Sequence, residues 1–248
     1  MESWIQEMKH KGAILSSRMV YSKLCKKTNT FISTIANNTD KLTSNLKEKL
    51  SSSLVTSVRC TCRGGVCNKA SECINFKGQY FCNKANCSIV ASGDKCTNET
   101  EVLDSMGQLV QACWSGVTTL GNSLYCKVHV LGGTRLIEMT GQWLTKKPKK
   151  SDRLYLYQYN VDKDVYGVDH IFLNSSEMGN NGRFVNARCV PNAQYENWTS
   201  ERGLHVIVVS TDYIFRGMTV NVDYGPEYSL GMECCCDSLH CVEMVAMS

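Results

Sequence analysis

Three absences bound this 248-residue sequence before any motif is read. No apolar run approaches ~18 residues, the length a membrane-spanning helix needs, so no membrane is expected as a partner. The opening residues, MESWIQEMKHKGAILSSRM, start acidic and contain no apolar signal-peptide core, which argues against export. Neither sign of charge dominates: 27 Lys and Arg stand against 23 Asp and Glu, for a formal net charge of +4 and a pI near 8.3. That mildly basic balance suits an acidic or nucleic-acid-associated setting without requiring one. Proline is scarce too, at three residues. The hydrophobic content of 43% is ordinary, and the length suffices for one catalytic-sized domain with appendages.

Cysteine is what the sequence has in excess, with fifteen residues. Two readings compete: a secreted disulfide framework, or zinc clusters in a reducing compartment. The odd count, the missing signal core and the C-x-C spacings favour zinc. The tripeptides Asn98-Glu99-Thr100 and Asn197-Trp198-Thr199 match glycosylation acceptors, but such short matches recur by chance and do not discriminate.

Residues 1–59 are polar and low in glycine and proline. Ile32, Ile35, Leu42, Leu46 and Leu50 recur at loosely helical spacing, interrupted by Asn38 and Thr39, which predicts one or two helices. Lys23, Lys26, Lys27, Lys41, Lys47 and Lys49 read either as a solvated helical face or as an arm making non-specific DNA contact. From Cys60 to Cys96 the composition shifts to seven cysteines and four glycines. Tetrahedral zinc takes four sulfurs, so seven serve two ions only if one sulfur bridges. Cys25, Cys113, Cys126 and Cys235 fall outside every cluster and read as buried or idle thiols. Beyond the cysteine-rich stretch, strands are predicted over Leu154–Val161, Val206–Val209 and Thr219–Tyr224, with a turn at Arg216-Gly217 and a small insertion at Val165–His170. Short strands, irregular connections and few long amphipathic helices predict a mainly β architecture with short helices.

The stretch Gly182–Trp198, GRFVNARCVPNAQYENW, resembles the R-F-x-N-H-x-C-x-P-N signature of SET-domain lysine methyltransferases. Arg183, Phe184, Asn186, Cys189, Pro191 and Asn192 occupy the family's positions, and Ala187 stands where the family has histidine. Gly217–Tyr224, GMTVNVDY, resembles the segment that packs against the signature in that family. Cys234-x-Cys236-x4-Cys241 resembles its post-SET zinc motif. Cys60-x-Cys62, Ser71-Glu72-Cys73-x-Asn75, Phe81-Cys82 and Cys96-x-Asn98 resemble the AWS module that precedes some SET domains. Gly121–Gln142 aligns with the cofactor-side hairpin, with Gly121, Gly133, Glu138 and Gly141 in place. Ser123, Met139 and Gln142 stand where that pattern has glycine, tyrosine and glutamate, and the loop at Thr145–Lys150 is shorter than the family's groove wall.

The resemblance implies a SET β-fold with a knot-like active site, in four parts. These are a helical, basic region (1–59), an AWS-like zinc module (60–98), the SET domain (99–228) and a post-SET zinc module (229–248). It implies S-adenosylmethionine as cofactor, bound by Gly121, Asn122, Ser123, Arg183, Phe184, Asn186, Ala187 and Tyr224. Tyr224 is the implied catalytic hydroxyl and Tyr157 an aromatic at the lysine channel. Three zinc ions are implied: one on Cys60, Cys62, Cys67 and Cys73; one on Cys67, Cys82, Cys87 and Cys96; one on Cys189, Cys234, Cys236 and Cys241. The AWS and post-SET pair, with Pro191-Asn192 five residues ahead of Trp198, resembles the subgroup that methylates histone H3 lysine 36. A histone tail within a nucleosome is then the expected substrate, and nuclear chromatin the expected location. The departures at Ser123, Met139 and Ala187 keep an alternative open, a degenerate SET domain that binds chromatin or a partner without turnover.

Overall fold

The computed structural model describes residues 59–116, 121–147, 155–161, 168–176, 179–225 and 241. The expected helices and lysine-rich arm of residues 1–58, the 165–167 part of the expected insertion, and Cys25, Cys234, Cys235 and Cys236 lie outside them. Ten short strands and three one-turn helices account for the regular structure of the described residues, together with one 3-10 turn. The helices are α1 (Ile74–Lys77), α2 (Ser88–Ala91) and α3 (Val102–Ser105). The strands are β1 (Val110–Trp114), β2 (Asn122–Cys126), β3 (Arg135–Met139), β4 (Gln142–Leu144) and β5 (Leu156–Asn160). They continue as β6 (His170–Asn174), β7 (Asn186–Ala187), β8 (Ala193–Ser200), β9 (Gly203–Ser210) and β10 (Asn221–Val222). The mainly β expectation holds. Among the described residues no helix is long and apolar enough to cross a membrane.

The strands form four small sheets: β1-β2, β10-β7, β3-β9-β8 and β4-β6-β5. The β9 strand is central because its run of β-branched residues is buried on both faces. Ile207 and Val209 pack with Phe81, Leu103 and Trp198 on one side. Val208 and Val206 face two other clusters, built respectively around Leu124, Leu136 and Val220 and around Met139, Ile171 and Leu173. Period-2 alternation thus lets one strand knit three clusters together.

The expected strand over Thr219–Tyr224 is only partly formed, as β10. Thr219 bridges Tyr125 and the Val220 amide donates to the Leu124 carbonyl at 2.8 Å, whereas Asn221 and Val222 pair with β7. The segment changes partners midway, which breaks one strand into two short pairings.

The cysteine-rich segment docks on β8 through backbone and rings. The Phe81 amide donates to the Thr199 carbonyl at 2.8 Å, and the Thr199 amide to the Gln79 carbonyl at 2.9 Å. Arg135, on β3, closes this junction. Its guanidinium lies 4.8 Å from the Trp198 ring centroid, 5.3 Å from Phe76 and 5.4 Å from Phe81. It also donates to Asn98 Oδ1 at 2.9 Å. A partly desolvated cation over three rings, with a charged hydrogen bond, predicts that Arg135→Ala lowers stability by about 2–4 kcal/mol. Denaturant unfolding checks this against Lys127→Ala, an exposed site expected to stay within about 0.5 kcal/mol.

Candidate active site

The 3-10 turn Asn181–Phe184 aims the signature segment. Asn180 sets the turn: its Oδ1 accepts from the Gly182 amide at 3.1 Å, and its Nδ2 donates to the Glu138 carbonyl at 2.6 Å. A Cβ at Gly182 would stand 2.9 Å from the Glu138 carbonyl, so glycine is required for this close approach. Arg183 and Phe184, each 3% exposed, point into the protein. The Arg183 guanidinium donates to the Ser175 carbonyl at 2.9 Å and lies 5.1 Å from the Phe184 ring centroid. Both are placed as braces of the segment.

From there the two expected segments meet. β7 and β10 pair in parallel, Asn186 with Asn221 and Ala187 with Val222. Asn192 staples the crossing: its Nδ2 donates to the Thr219 carbonyl at 2.9 Å, while its Oδ1 accepts from the Asn221 amide at 2.9 Å. The Tyr224 hydroxyl donates to the Val185 carbonyl, one residue before Asn186. On the other flank lies the start of β2. Gly121 adopts φ +65°, a left-handed conformation that favours glycine. Asn186 Nδ2 donates to Ser123 Oγ at 2.6 Å and reaches toward the Asn122 carbonyl at 3.4 Å. Asn122, Ser123, Asn186, Ala187 and Tyr224 therefore come together around the crossing, with Gly121 at its edge.

Tyr157 lies in a neighbouring aromatic wall. Its hydroxyl donates to Asn197 Oδ1 at 2.9 Å, and its ring centroid is 5.1 Å from Tyr195 and 6.5 Å from Tyr159. Trp143 stands edge-on to Tyr159 at 5.6 Å. Burial raises the Tyr157 phenol pKa above its ordinary value, which keeps the ring neutral. Tyr195 packs against both the cluster that Tyr224 joins and the cluster that Tyr157 joins. The sequence assigned Tyr195 no role and marked Asn197 only within a glycosylation-type tripeptide. Their i, i+2 spacing on β8, two and four residues after Ala193, was the available signal. Met139, where the family pattern has tyrosine, is 5% exposed in the same cluster as Tyr159. Glu138 accepts from His205 Nδ1 at 2.7 Å, and His205 Nε2 meets Ser200 Oγ at 2.7 Å. Ser200 and His205 are buried and Ser200 Oγ also accepts from the Arg202 amide, so this chain of hydrogen bonds ties β3 to the β8-β9 hairpin.

The cysteines of the 60–96 stretch are gathered into one buried cluster. The sulfurs of Cys60, Cys62, Cys67 and Cys73 lie within 4.8 Å of one another, and so do those of Cys60, Cys67, Cys82 and Cys87. Cys60–Cys67 and Cys67–Cys87 are 3.8 and 3.9 Å apart. Four zinc–sulfur bonds of about 2.3 Å give a tetrahedron with edges of about 3.8 Å, so the donor set fits that ion. The first group is the expected one. In the second, Cys60 stands where Cys96 was expected, because the Cys60 backbone bridges Cys87 and its amide donates to the Asn86 carbonyl at 2.9 Å. Cys96 is buried in the same cluster, beside Cys67 and Cys82. Burial and the neighbouring sulfurs push the Cys67 thiol well above its ordinary range. A dication reverses that penalty by favouring thiolates, which is a second reason the cluster suits a metal. Cys189 and Cys241 also meet, sulfur to sulfur at 3.9 Å. Of the remaining thiols, Cys113 is exposed, whereas burial pushes Cys126 up to about 11 and makes it a core filler.

A family model described as the SET domain matches residues 17–225. Histone-lysine N-methyltransferase ash1 of Drosophila melanogaster is 23% identical over 189 residues, covering 73% of this chain and 8% of that protein. Histone-lysine N-methyltransferase NSD3 of Mus musculus is 25% identical over 179 residues, or 67% of this chain and 12% of the relative. The H3 lysine-36 specific histone-lysine N-methyltransferase of Candida albicans is 22% identical over 203 residues, or 72% of this chain and 21% of the relative. The chain thus spans 8% to 21% of the length of these curated relatives.

Proposed function

Since the chain belongs to the SET-domain family, we propose that it is a protein-lysine N-methyltransferase that uses S-adenosylmethionine and acts on a histone tail within a nucleosome. Histone H3 lysine 36 is the first target to try. The observation that carries the reading is the parallel crossing of β7 and β10, beside which the Tyr224 hydroxyl meets the Val185 carbonyl, one residue before Asn186.

Bound S-adenosylmethionine supplies an electrophilic methyl group. Asn186, with the backbone of Gly121 and Asn122, holds the amino-acid end, and the left-handed glycine and converging polar atoms suit such a ligand. Tyr157, Tyr159, Tyr195 and Trp143 wall the entrance for the lysine. A free lysine has a pKa of about 10.4, and a partly apolar aromatic wall shifts it toward the neutral, nucleophilic amine. Tyr224 aims that amine, so the protein works chiefly by alignment and by stabilising developing charge.

Two zinc ions in the AWS-like module 60–98 support the sheet through the Arg135 junction. A third, on Cys189, Cys234, Cys236 and Cys241, ties the post-SET module 229–248 to the SET domain 99–228. The lysines of residues 1–59 add non-specific DNA contact, and nuclear chromatin is the site of action.

Radiolabelled S-adenosylmethionine with nucleosomes tests the reading. Label on a histone lysine, lost when H3 lysine 36 is replaced by arginine, is the expected result. The departures from the family pattern at Ser123, Met139 and Ala187, with the short Thr145–Lys150 loop, favour a second reading, a SET fold retained as a chromatin-binding module. Cofactor binding with no label above a denatured control decides for that second reading.

A further inference from the structure

We infer that Ser123 is a positioning residue for the cofactor's ammonium group: the Asn122 carbonyl sets which way the Asn186 amide faces, and the serine hydroxyl holds it there. The inference rests on the cofactor reading above. An asparagine amide presents two N–H donors and one carbonyl oxygen, and nothing in its shape says which faces a ligand. Here the chemistry of its neighbours decides. The Asn122 oxygen that Asn186 approaches at 3.4 Å is a backbone carbonyl, which only accepts. Reversing the amide would set two acceptors against each other, so the nitrogen faces β2. Ser123 Oγ, 2.6 Å from that nitrogen, accepts a hydrogen bond, and Ser123 is 2% exposed and cannot exchange this partner for bulk water.

The backbones at both ends of this contact are held. Asn186 is fixed by its pairing with Asn221, and Ser123 by its pairing with Cys113 across β1-β2. Rotation of the Asn186 amide is the remaining freedom; the Asn122 carbonyl sets its direction, and the buried serine hydroxyl, which can donate as well as accept, restrains it there. The amide nitrogen is then committed to the protein. Asn186 Oδ1 receives no hydrogen bond among the described residues, and Asn186 is only half buried. A pre-oriented, partly desolvated amide oxygen is an acceptor for a cationic donor such as the α-ammonium of an amino acid. A glycine at position 123, as in the family pattern, would leave this amide without its hydroxyl partner.

Calorimetry on the full chain tests this with two probes. S-adenosylhomocysteine carries the amino-acid end, whereas 5′-methylthioadenosine keeps the nucleoside and sulfur and lacks it. Ser123→Ala is expected to weaken S-adenosylhomocysteine binding about 5–10-fold while methylthioadenosine stays within about twofold, the loss of one positioned polar contact. Ser123→Gly is expected to show the same selective loss. An equal loss for both probes assigns Ser123 a merely structural role and overturns the inference. Unchanged binding overturns it as well, and so does tighter binding in Ser123→Gly, which would make the serine an obstruction. Wild-type protein that binds neither probe overturns the cofactor reading, and this inference with it. Normal wild-type binding beside an insensitive Ser123→Ala overturns the inference alone.

Discussion

Cys67→Ser is expected to release both metal ions of the seven-cysteine segment and to unfold residues 59–98. Cys67 and Cys60 are the two sulfurs common to both four-sulfur groups, so a change at either reaches both sites. Cys62 and Cys73 belong to the first group alone, and Cys82 and Cys87 to the second. Replacing Cys62 by serine should therefore release one ion where Cys67→Ser releases two. Structural zinc contributes about 10–16 kcal/mol to the folding of small modules, far more than the residual core of this segment supplies. Its two one-turn helices, α1 and α2, are too short to stand alone. The damage should also spread. Phe76 and Phe81 present two of the three rings that hold Arg135, so the junction with β3 and β8 loosens with the module. Metal content by elemental analysis, with thermal unfolding, reads both effects. Two ions retained in Cys67→Ser would refute the shared-sulfur arrangement, and a metal-free wild type with cysteines paired as disulfides would refute the metal. Cys60→Ser and Cys96→Ser, compared in the same way, decide which of the two completes the second site.

For Tyr224→Phe the expected result is a loss of about 10²–10³-fold in methylation rate, with cofactor affinity little changed. The substitution removes one oxygen and keeps the ring, which packs at the edge of the cluster around Leu124, Val185 and Val222. The hydroxyl is already held in place by its hydrogen bond to the Val185 carbonyl. Losing that bond lowers stability by about 1 kcal/mol, too little to empty the folded state. A rate loss at unchanged affinity thus marks a group that acts in the transition state. Asn186→Ala is expected to behave differently, because its amide is proposed to hold the cofactor, so binding should fall along with the rate. Single-turnover rates and binding constants measured side by side separate the two residues. Wild-type turnover in Tyr224→Phe would remove the assignment, as would a rate that falls only in step with the folded fraction. A changed number of methyl groups at a preserved rate would move Tyr224 to the channel wall.

Several features were legible in the sequence because their chemistry is local. Thiolate spacing is short-range, so a zinc-type cysteine cluster with one shared sulfur could be read from the residues, whereas the membership of each four-sulfur group came from the family resemblance. The signature from Arg183 to Asn192 and the GMTVNVDY segment could each be found as a string, as could the short strands that make the fold mainly β. Their meeting could be expected only through family resemblance, since nothing in either string states its partner or register. The structure supplied the register, Asn186 beside Asn221, and with it the break of the expected Thr219–Tyr224 strand.

Identity at one position was also insufficient wherever function depends on a neighbour across the fold. Ser123 reads in sequence as a lost glycine, but beside Asn186 its hydroxyl is a hydrogen-bond partner. Arg135 reads as an ordinary strand residue, and only docking of the cysteine-rich segment surrounds it with three rings. Cys60 is placed in one four-sulfur group by the family resemblance, and its backbone pairing with Cys87 sets its sulfur beside those of Cys82 and Cys87 as well. Ligand type, strand content and the two signature segments are thus determined by the sequence itself, because they depend on side-chain chemistry and short spacing. Partners, register and the direction an amide faces are decided by the tertiary structure, because they depend on which distant backbone lies alongside.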